Sequence, residues 1–245
     1  MVQEIMNAYT NNPGLVVISA FTFFIGYMEY IYSFRLVNRE KRAPYPVWMH
    51  TFYFAHDFTG AVIFFLLALH NDWFWFFSAA SAALVVWNCF EVYNLYKAVK
   101  VERQEIWGKF YSSPVTVQQA LMRVAGQIVL MFAVVNLFRV FMDDVVMFKW
   151  FAFTNILIAV APGYLWNERK NRSGTSVGLA IVILIGTVNT FLPPGYGMWT
   201  TASAYFDQPW FYIAGVIVSA YALRNLIMVM KFPPKEQIGD KKPIW

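Results

Sequence analysis

The stretch PVWMHTFYFAHDFTGAVIFFLLAL, residues 46–69, is a run of apolar and aromatic residues interrupted by three ionisable side chains. A helix needs about 20 predominantly apolar residues to cross a bilayer, and this run is long enough. Its ionisable residues are His50, His56 and Asp57. Such side chains are costly at membrane depth unless they face the protein interior or a polar partner. The stretch therefore predicts a transmembrane helix whose polar residues turn toward other helices.

The composition of the whole chain extends this prediction to a protein that crosses the membrane several times. The 245 residues are 59% hydrophobic and 13% charged, whereas a soluble domain is about 25% charged. The connections are short, and the sequence shows no repeat or soluble segment. We predict an all-α fold with one transmembrane domain over residues 1–245. Its seven spans are expected at residues 14–34, 46–69, 73–97, 118–141, 146–166, 174–193 and 209–231.

Basic residues concentrate on one side of the predicted helices. They follow the first, third, fifth and seventh spans, as Arg35, Arg39, Lys41, Arg42, Lys97, Lys100, Arg103, Lys109, Arg169, Lys170, Arg172, Lys231, Lys235, Lys241 and Lys242. By the positive-inside rule, the N-terminus lies outside and the C-terminus lies in the cytosol. The composition fits a bacterial plasma membrane or the endoplasmic reticulum. Because the basic residues are divided among short loops, the sequence does not predict nucleic-acid binding.

Tryptophan and tyrosine residues lie near several predicted span ends, where amphipathic rings suit the membrane interface. We expect interfacial anchors at Trp73, Trp75, Trp150, Trp166, Trp210 and Tyr212. These rings are therefore predicted to face the bilayer and not a binding site.

Charged residues also lie inside five different predicted spans, in the half nearer the cytosol. They are Glu29, Asp57, Glu91, Arg123 and Arg224. We expect a polar cavity there, open to the inner half of the bilayer, because each charge is unfavourable against lipid. Taken one at a time, these charges are explained equally well by ion pairs between helices. Such pairs would join Glu91 to Arg123 and Glu29 to Arg224. Asp57, near the midplane, is left without an arginine.

Helical spacing arranges these residues in polar stripes. On the second span, His50, Tyr53 and Asp57 recur at i, i+3 and i+7, whereas His56 lies about 100° round the helix and is expected to face a different neighbour. On the third span, Glu91 belongs to a similar stripe with Asn88 at its edge. A neutral carboxylic acid in a dry cavity is suited to general acid catalysis, or to proton relay in a transporter.

The sequence predicts neither a metal nor a cofactor. Its three histidines lack metal-ligand spacing such as HExxH, and no Gly-rich phosphate loop is present. The last predicted span has no lysine before Lys231, so a retinal Schiff base is not expected.

Four stretches carry a family resemblance: YFAHD at 53–57, WNCFEVYNLYKAVKVERQEIW at 87–107, NRSGTS at 171–176 and DQPWFY at 207–212. With them, the chain resembles the small seven-helix integral-membrane terpene cyclases of fungal meroterpenoid and indole-diterpene pathways, which have bacterial relatives. The resemblance implies an isomerase or lyase of terpenoid biosynthesis that acts on a hydrophobic prenyl substrate. It places Asp57 at the position of the family's acidic residue in the second helix.

The resemblance also implies roles for individual residues. Asp57 would protonate an epoxide or a terminal alkene, and Glu91, held by Asn88, would remove the final proton. The family has a second acid in its seventh helix, whereas SAYALRN at 219–225 has none, so Glu91 or Glu29 would supply it. Substrate contacts are expected from Glu29, His50, Tyr53, Asn88, Arg123, Arg224 and Asn225.

Two other functions stay open at this point. The first is a small-solute or proton-coupled membrane transporter, a class that often shows internal repeats. The second is a non-catalytic subunit of a larger membrane complex, with unknown partner subunits. A subunit predicts polar residues on outward-facing helix surfaces.

Overall fold

The regular structure is helical throughout the part of the chain that the structure describes. The computed structural model describes residues 1–235, 237 and 242–245. Lys241, one of the basic residues predicted to face the cytosol, lies outside the described residues. A π-helical turn (Ala98–Glu102) and a 3-10 turn (Gly108–Phe110) flank the short helix α5. The α-helices are α1 (Val2–Asn11), α2 (Pro13–Glu40), α3 (Val47–His70), α4 (Trp75–Lys97), α5 (Arg103–Trp107), α6 (Val117–Phe141), α7 (Phe148–Arg169), α8 (Val177–Thr190), α9 (Met198–Ala202) and α10 (Pro209–Lys231).

Six helices in this part of the chain are long and apolar enough to cross a membrane. They are α2, α3, α4 with its helical continuation to Phe110, α6, α7 and α10. The all-α fold is thereby confirmed, and six of the predicted spans coincide with helices that could cross a membrane. The orientation of the termini stays a prediction.

The predicted span at 174–193 is not confirmed as a membrane-crossing helix. It contains only α8, of 14 residues, which is about 21 Å long against a hydrocarbon core of about 30 Å. The Ser176 hydroxyl caps its start by accepting a hydrogen bond from the backbone N–H of Leu179 at 3.0 Å. Pro193 and Pro194 follow its end, where a helix cannot continue.

The chain divides into two compact units, and whether it forms a single domain stays a prediction. The first unit comprises Met1–Pro44 and Phe148–Trp245, and the second comprises Tyr45–Met147.

In the second unit, α3 packs against both α4 and α6. The predicted loop at 98–117 is largely helical, because α4 runs on through the π-helical turn into α5. Its buried residues form a hydrophobic cluster with the start of α6 that includes Trp107 and Val124. Thr116 then starts α6 with a capping box, in which its hydroxyl and the Gln119 side chain satisfy each other's backbone N–H groups.

In the first unit, α8 packs against α2, α7 and α10, while α1 and α9 pack against α2. Helix α1 precedes the first predicted span and is held by polar contacts. Tyr9 and Ser19 share a hydrogen bond at 2.7 Å, and the Glu4 carboxylate accepts from the Ser203 hydroxyl and the Ala204 backbone N–H. The N-terminal residues are therefore part of the folded unit.

Two of the predicted interfacial anchors lie inside the first unit instead. Trp150 and Trp166 are buried, and the indole N–H of Trp166 donates to the carbonyl of Pro44 at 2.8 Å. A short connection after α2 brings that carbonyl to the indole ring. The position of Trp166 near a predicted span end could not reveal this contact. Trp73, Trp75 and Trp210 are exposed, as anchors require. Tyr212 donates to Asp207 at 2.6 Å.

The basic residues after α7 hold helix ends together. Arg169 donates to the carbonyl of Ala43 at 2.6 Å, and Arg172 donates to the carbonyls of Val229 and Met230 near the end of α10. Carbonyls in the last turn of a helix lack the usual donor four residues further on, so a guanidinium is a suitable cap. Gly174 adopts φ +71°, and an added Cβ would lie 3.1 Å from the carbonyl oxygen of Ala43.

Candidate functional site

The first ionisable pair joins α3 to α4. His50 Nδ1 lies 2.6 Å from Glu91 Oε2, and both side chains are buried. Because an ionised carboxylate can only accept, we assign the imidazole proton to Nδ1. His50 Nε2 is also buried and has no hydrogen-bond partner among the described residues. The edge of the Tyr45 ring packs near the imidazole, with ring centroids 5.9 Å apart.

The second pair lies further along α3. His56 Nδ1 is 2.8 Å from Asp57 Oδ1, and the imidazole stacks on Phe52 with ring centroids 5.8 Å apart. Both members of the pair are buried. The other carboxyl oxygen, Asp57 Oδ2, is buried and has no hydrogen-bond partner in the described part of the chain.

His56 does not turn away from Asp57, as the 2.8 Å contact between them shows. Sequence spacing gives the direction of Cα–Cβ, about 100° apart for adjacent residues. The two side chains nevertheless bend toward each other, because Nδ1 is close enough to its own backbone to reach the next residue. His56 therefore fixes one oxygen of Asp57, while the other has no hydrogen-bond partner among the described residues.

The two pairs lie at two positions along α3. The predicted stripe separates His50 and Asp57 by seven residues, about 10 Å along the helix axis. Two ionised carboxylates in a buried region would repel each other, and each carboxylate here has its own imidazole.

Asn88 does not hold Glu91, which corrects the expectation for that residue. Its amide donates to the backbone carbonyl of Phe54 at 3.1 Å, and so ties α4 to α3 beside Asp57. The imidazole of His50 takes the place expected for Asn88. Tyr53 is half-buried on α3, and the edge of its ring meets Phe52 at a centroid distance of 5.4 Å.

Arg123 does not pair with Glu91, and the predicted ion pair is wrong. Arg123 is exposed, its Nε donates to the Tyr111 hydroxyl at 2.9 Å, and its guanidinium lies over the Phe110 and Tyr111 rings at 4.9 and 5.1 Å. A long side chain one to two turns inside a span can reach back toward the helix end. The aromatic connection before α6 supplies its partners there.

Glu29 and Arg224, both in the first unit, also form no ion pair among the described residues. Glu29 is half-buried on α2, with its Oε1 3.5 Å from the position that a Cβ on Gly186 of α8 would take. Arg224 is exposed on α10 and donates instead to Asn225 Oδ1 at 3.1 Å. The predicted ion pair is therefore wrong as well.

Asn225 of α10 contacts α7 beside a proline inside that helix. Pro162 lies inside that helix, and an internal proline disrupts hydrogen bonds to the carbonyls of the preceding turn. The Asn225 amide donates to one of them, the carbonyl of Ala159, at 2.9 Å. A Cβ on Gly163 would lie 2.3 Å from Asn225 Oδ1, so only glycine leaves room for this contact. The Pro-Gly dipeptide inside a predicted span was the available signal.

The described residues contain no group of three histidine, cysteine, aspartate or glutamate side chains arranged to hold a metal ion. The fold and the buried pairs thus define an all-α integral membrane protein with two histidine–carboxylate pairs inside its apolar helices. Comparisons of the chain with family models, with curated proteins and with solved structures found no match.

Proposed function

We propose that the chain is a membrane-embedded cyclase-like enzyme that protonates a hydrophobic prenyl or terpenoid substrate. The observation that supports this function is the carboxyl group of Asp57, which lies buried in an apolar helix with Oδ1 held by His56 and Oδ2 unbonded among the described residues. A general acid needs a fixed carboxyl group with one oxygen available to the substrate. The resemblance to membrane terpene cyclases points to the same residue.

The proposed reaction begins with proton transfer from Asp57 Oδ2. On an epoxide, a new O–H bond forms and a C–O bond breaks, which leaves a carbocation that an alkene of the same substrate attacks. On a terminal alkene, a C–H bond forms instead. The faces of nearby aromatic rings stabilise the cation. Loss of a proton from carbon then gives the product, so the substrate gains and loses one proton overall.

Glu91 and His50 are proposed to accept that final proton. The imidazole Nδ1–H donates to Glu91 across the α3–α4 contact at 2.6 Å, and its Nε2 has no hydrogen-bond partner in the described part of the chain, so its lone pair can take a proton. Asp57 must regain a proton before the next turnover, and the Glu91–His50 pair, about 10 Å away along α3, is proposed as its source. No metal or cofactor takes part in the proposed steps.

The proposed topology has seven spans, with the N-terminus outside and the C-terminus in the cytosol of a bacterial cell or on the cytosolic face of the endoplasmic reticulum. Three helices, α2, α7 and α10, pack around the short α8, which supports residues 174–193 as the additional span. Non-helical backbone is tolerated at membrane depth where protein surrounds it. Labelling of single cysteines at Asp72 and Lys231, in a Cys89→Ala background, tests this: modification of both from the same side contradicts the topology.

The activity test uses the purified protein in lipid nanodiscs with an epoxidised polyprenyl substrate. We expect Asp57→Asn to lower turnover by about 10²–10⁴-fold, the usual contribution of a general acid. Asp72→Asn is the matched control, because Asp72 is exposed after the end of α3. Equal turnover of wild type and Asp57→Asn would contradict the mechanism.

A proton-coupled transporter is the second candidate, because titratable pairs at two positions along one membrane helix are also suited to proton relay. The same variants separate the two functions. In proteoliposomes with an internal pH dye, a transporter carries protons without converting the prenyl substrate, and Asp57→Asn abolishes that flux.

A further inference from the structure

Arg224 is an exposed cation inside a membrane-spanning helix. It lies seven residues before Lys231, the last residue of α10, which is about 10 Å along the axis. A guanidinium has five N–H donors. Among the described residues, one nitrogen of the Arg224 guanidinium donates a hydrogen bond to Asn225 Oδ1. An arginine so placed is costly against hydrocarbon unless it reaches the interface and meets an anion.

Two tyrosines complete a polar patch around this guanidinium. The Tyr221 ring lies 5.5 Å from the guanidinium carbon, and Tyr164 on α7 is a neighbour of Tyr221. Both tyrosines are exposed. The patch of Tyr164, Tyr221 and Arg224 therefore offers N–H and O–H groups on the outer surface of α7 and α10.

The guanidinium is held in place by a chain of buried contacts. Asn225 is buried, and its amide is anchored to the carbonyl of Ala159 beside Pro162. That bond directs Asn225 Oδ1, which in turn accepts from Arg224. The position of the cation thus depends on the bend in α7, and not only on the flexible arginine side chain.

We propose that this patch binds the phosphate group of a phospholipid in the membrane leaflet at the Lys231 end of α10. A guanidinium matches phosphate because it donates two parallel hydrogen bonds to it, and the tyrosine hydroxyls supply further donors. Ile217, about two turns further into the span, is exposed on the same stripe, where an acyl chain of the bound lipid would run. The inference is independent of the proposed enzymatic function.

The test is native mass spectrometry of the full-length protein in detergent, titrated with phosphatidylglycerol. Diacylglycerol with the same acyl chains is the probe without phosphate. We expect Arg224→Gln to weaken phosphatidylglycerol binding about tenfold or more, the usual range for a charge-assisted hydrogen-bonded pair. Arg224→Lys retains part of the affinity, and a Tyr164→Phe, Tyr221→Phe double variant loses severalfold.

Lys231→Gln is the matched control, since it removes one exposed charge from the end of the same helix. Equal losses in Lys231→Gln and Arg224→Gln would overturn the proposal, because charge alone would then suffice. Diacylglycerol bound as tightly as phosphatidylglycerol would also overturn it. Displacement of the lipid by millimolar inorganic phosphate would assign the patch to free phosphate instead. If Arg224→Gln leaves lipid binding intact and dissociates an oligomer, the patch is a subunit contact.

Discussion

The α3–α4 pairs and the α7–α10 patch handle charge inside a membrane in different ways. In the first region, Asp57 and Glu91 are buried, and each contacts a histidine that can gain or lose a proton. In the second, Arg224 is exposed and is held by the neutral amide of Asn225. The first region can therefore redistribute protons within itself, whereas the second keeps a fixed positive charge.

This difference suggests different uses. A group of carboxylates and imidazoles suits chemistry in which a proton leaves and returns, because the total charge is adjustable. A permanently charged guanidinium suits recognition of an anion. The predictions below test whether burial and partnership separate the two regions as the structure indicates.

The largest effect on stability is expected from His50→Leu. It leaves Glu91 buried without its imidazole, and loss of one partner from a buried pair costs about 3–5 kcal/mol. Unfolding by a denaturing detergent measures the loss. The His50→Leu, Glu91→Leu double variant should recover much of it, because no lone charge remains. Additive losses in the double variant would show that the 2.6 Å contact is not energetically coupled.

Gly163→Ala tests the close contact between α7 and the Asn225 side chain of α10. The new methyl group would overlap the Asn225 side chain, and overpacking of this kind costs about 1–3 kcal/mol. Gly126→Ala on α6 is the control, because no heavy atom lies within 4 Å of its Cβ position. That change should stabilise the helix by about 0.5–1 kcal/mol. Opposite signs for the two variants in the same unfolding assay support the close approach of α7 and α10.

Asn225→Ala is expected to have a somewhat smaller effect. It leaves the Ala159 carbonyl without its side-chain donor, at a cost of about 1–2 kcal/mol. In a Pro162→Ala background, the helix regains the N–H of residue 162 and loses the steric clash of the proline ring, so the same change should cost less. An identical cost in both backgrounds would show that Asn225 does not compensate for the proline.

The smallest effect is expected from Arg224→Leu. Its side chain is exposed, so the free energy of unfolding in detergent should change by no more than about 0.5 kcal/mol. A loss as large as that of His50→Leu would remove the distinction between the two regions. The same assay and detergent allow the direct comparison.

Much of the helical framework follows from the sequence itself. Six apolar runs became helices close to their predicted limits, because length and hydropathy are properties of consecutive residues. The stripe of His50 and Asp57 on α3 was predictable in the same way, from helical spacing. The run at 174–193 failed as one long helix because Ser176 and Pro193 mark local limits that mean hydropathy does not register.

The partners of the charged residues were decided only by the tertiary structure. Glu91 contacts His50 and not Arg123, and Arg224 contacts Asn225 and not Glu29. Sequence gives the depth of a charge along its helix, but partner choice depends on the rotation of each helix and on how far a side chain bends. For this protein, the sequence determined which charges lie inside the apolar helices, and packing determined which of them are buried in pairs and which are left exposed.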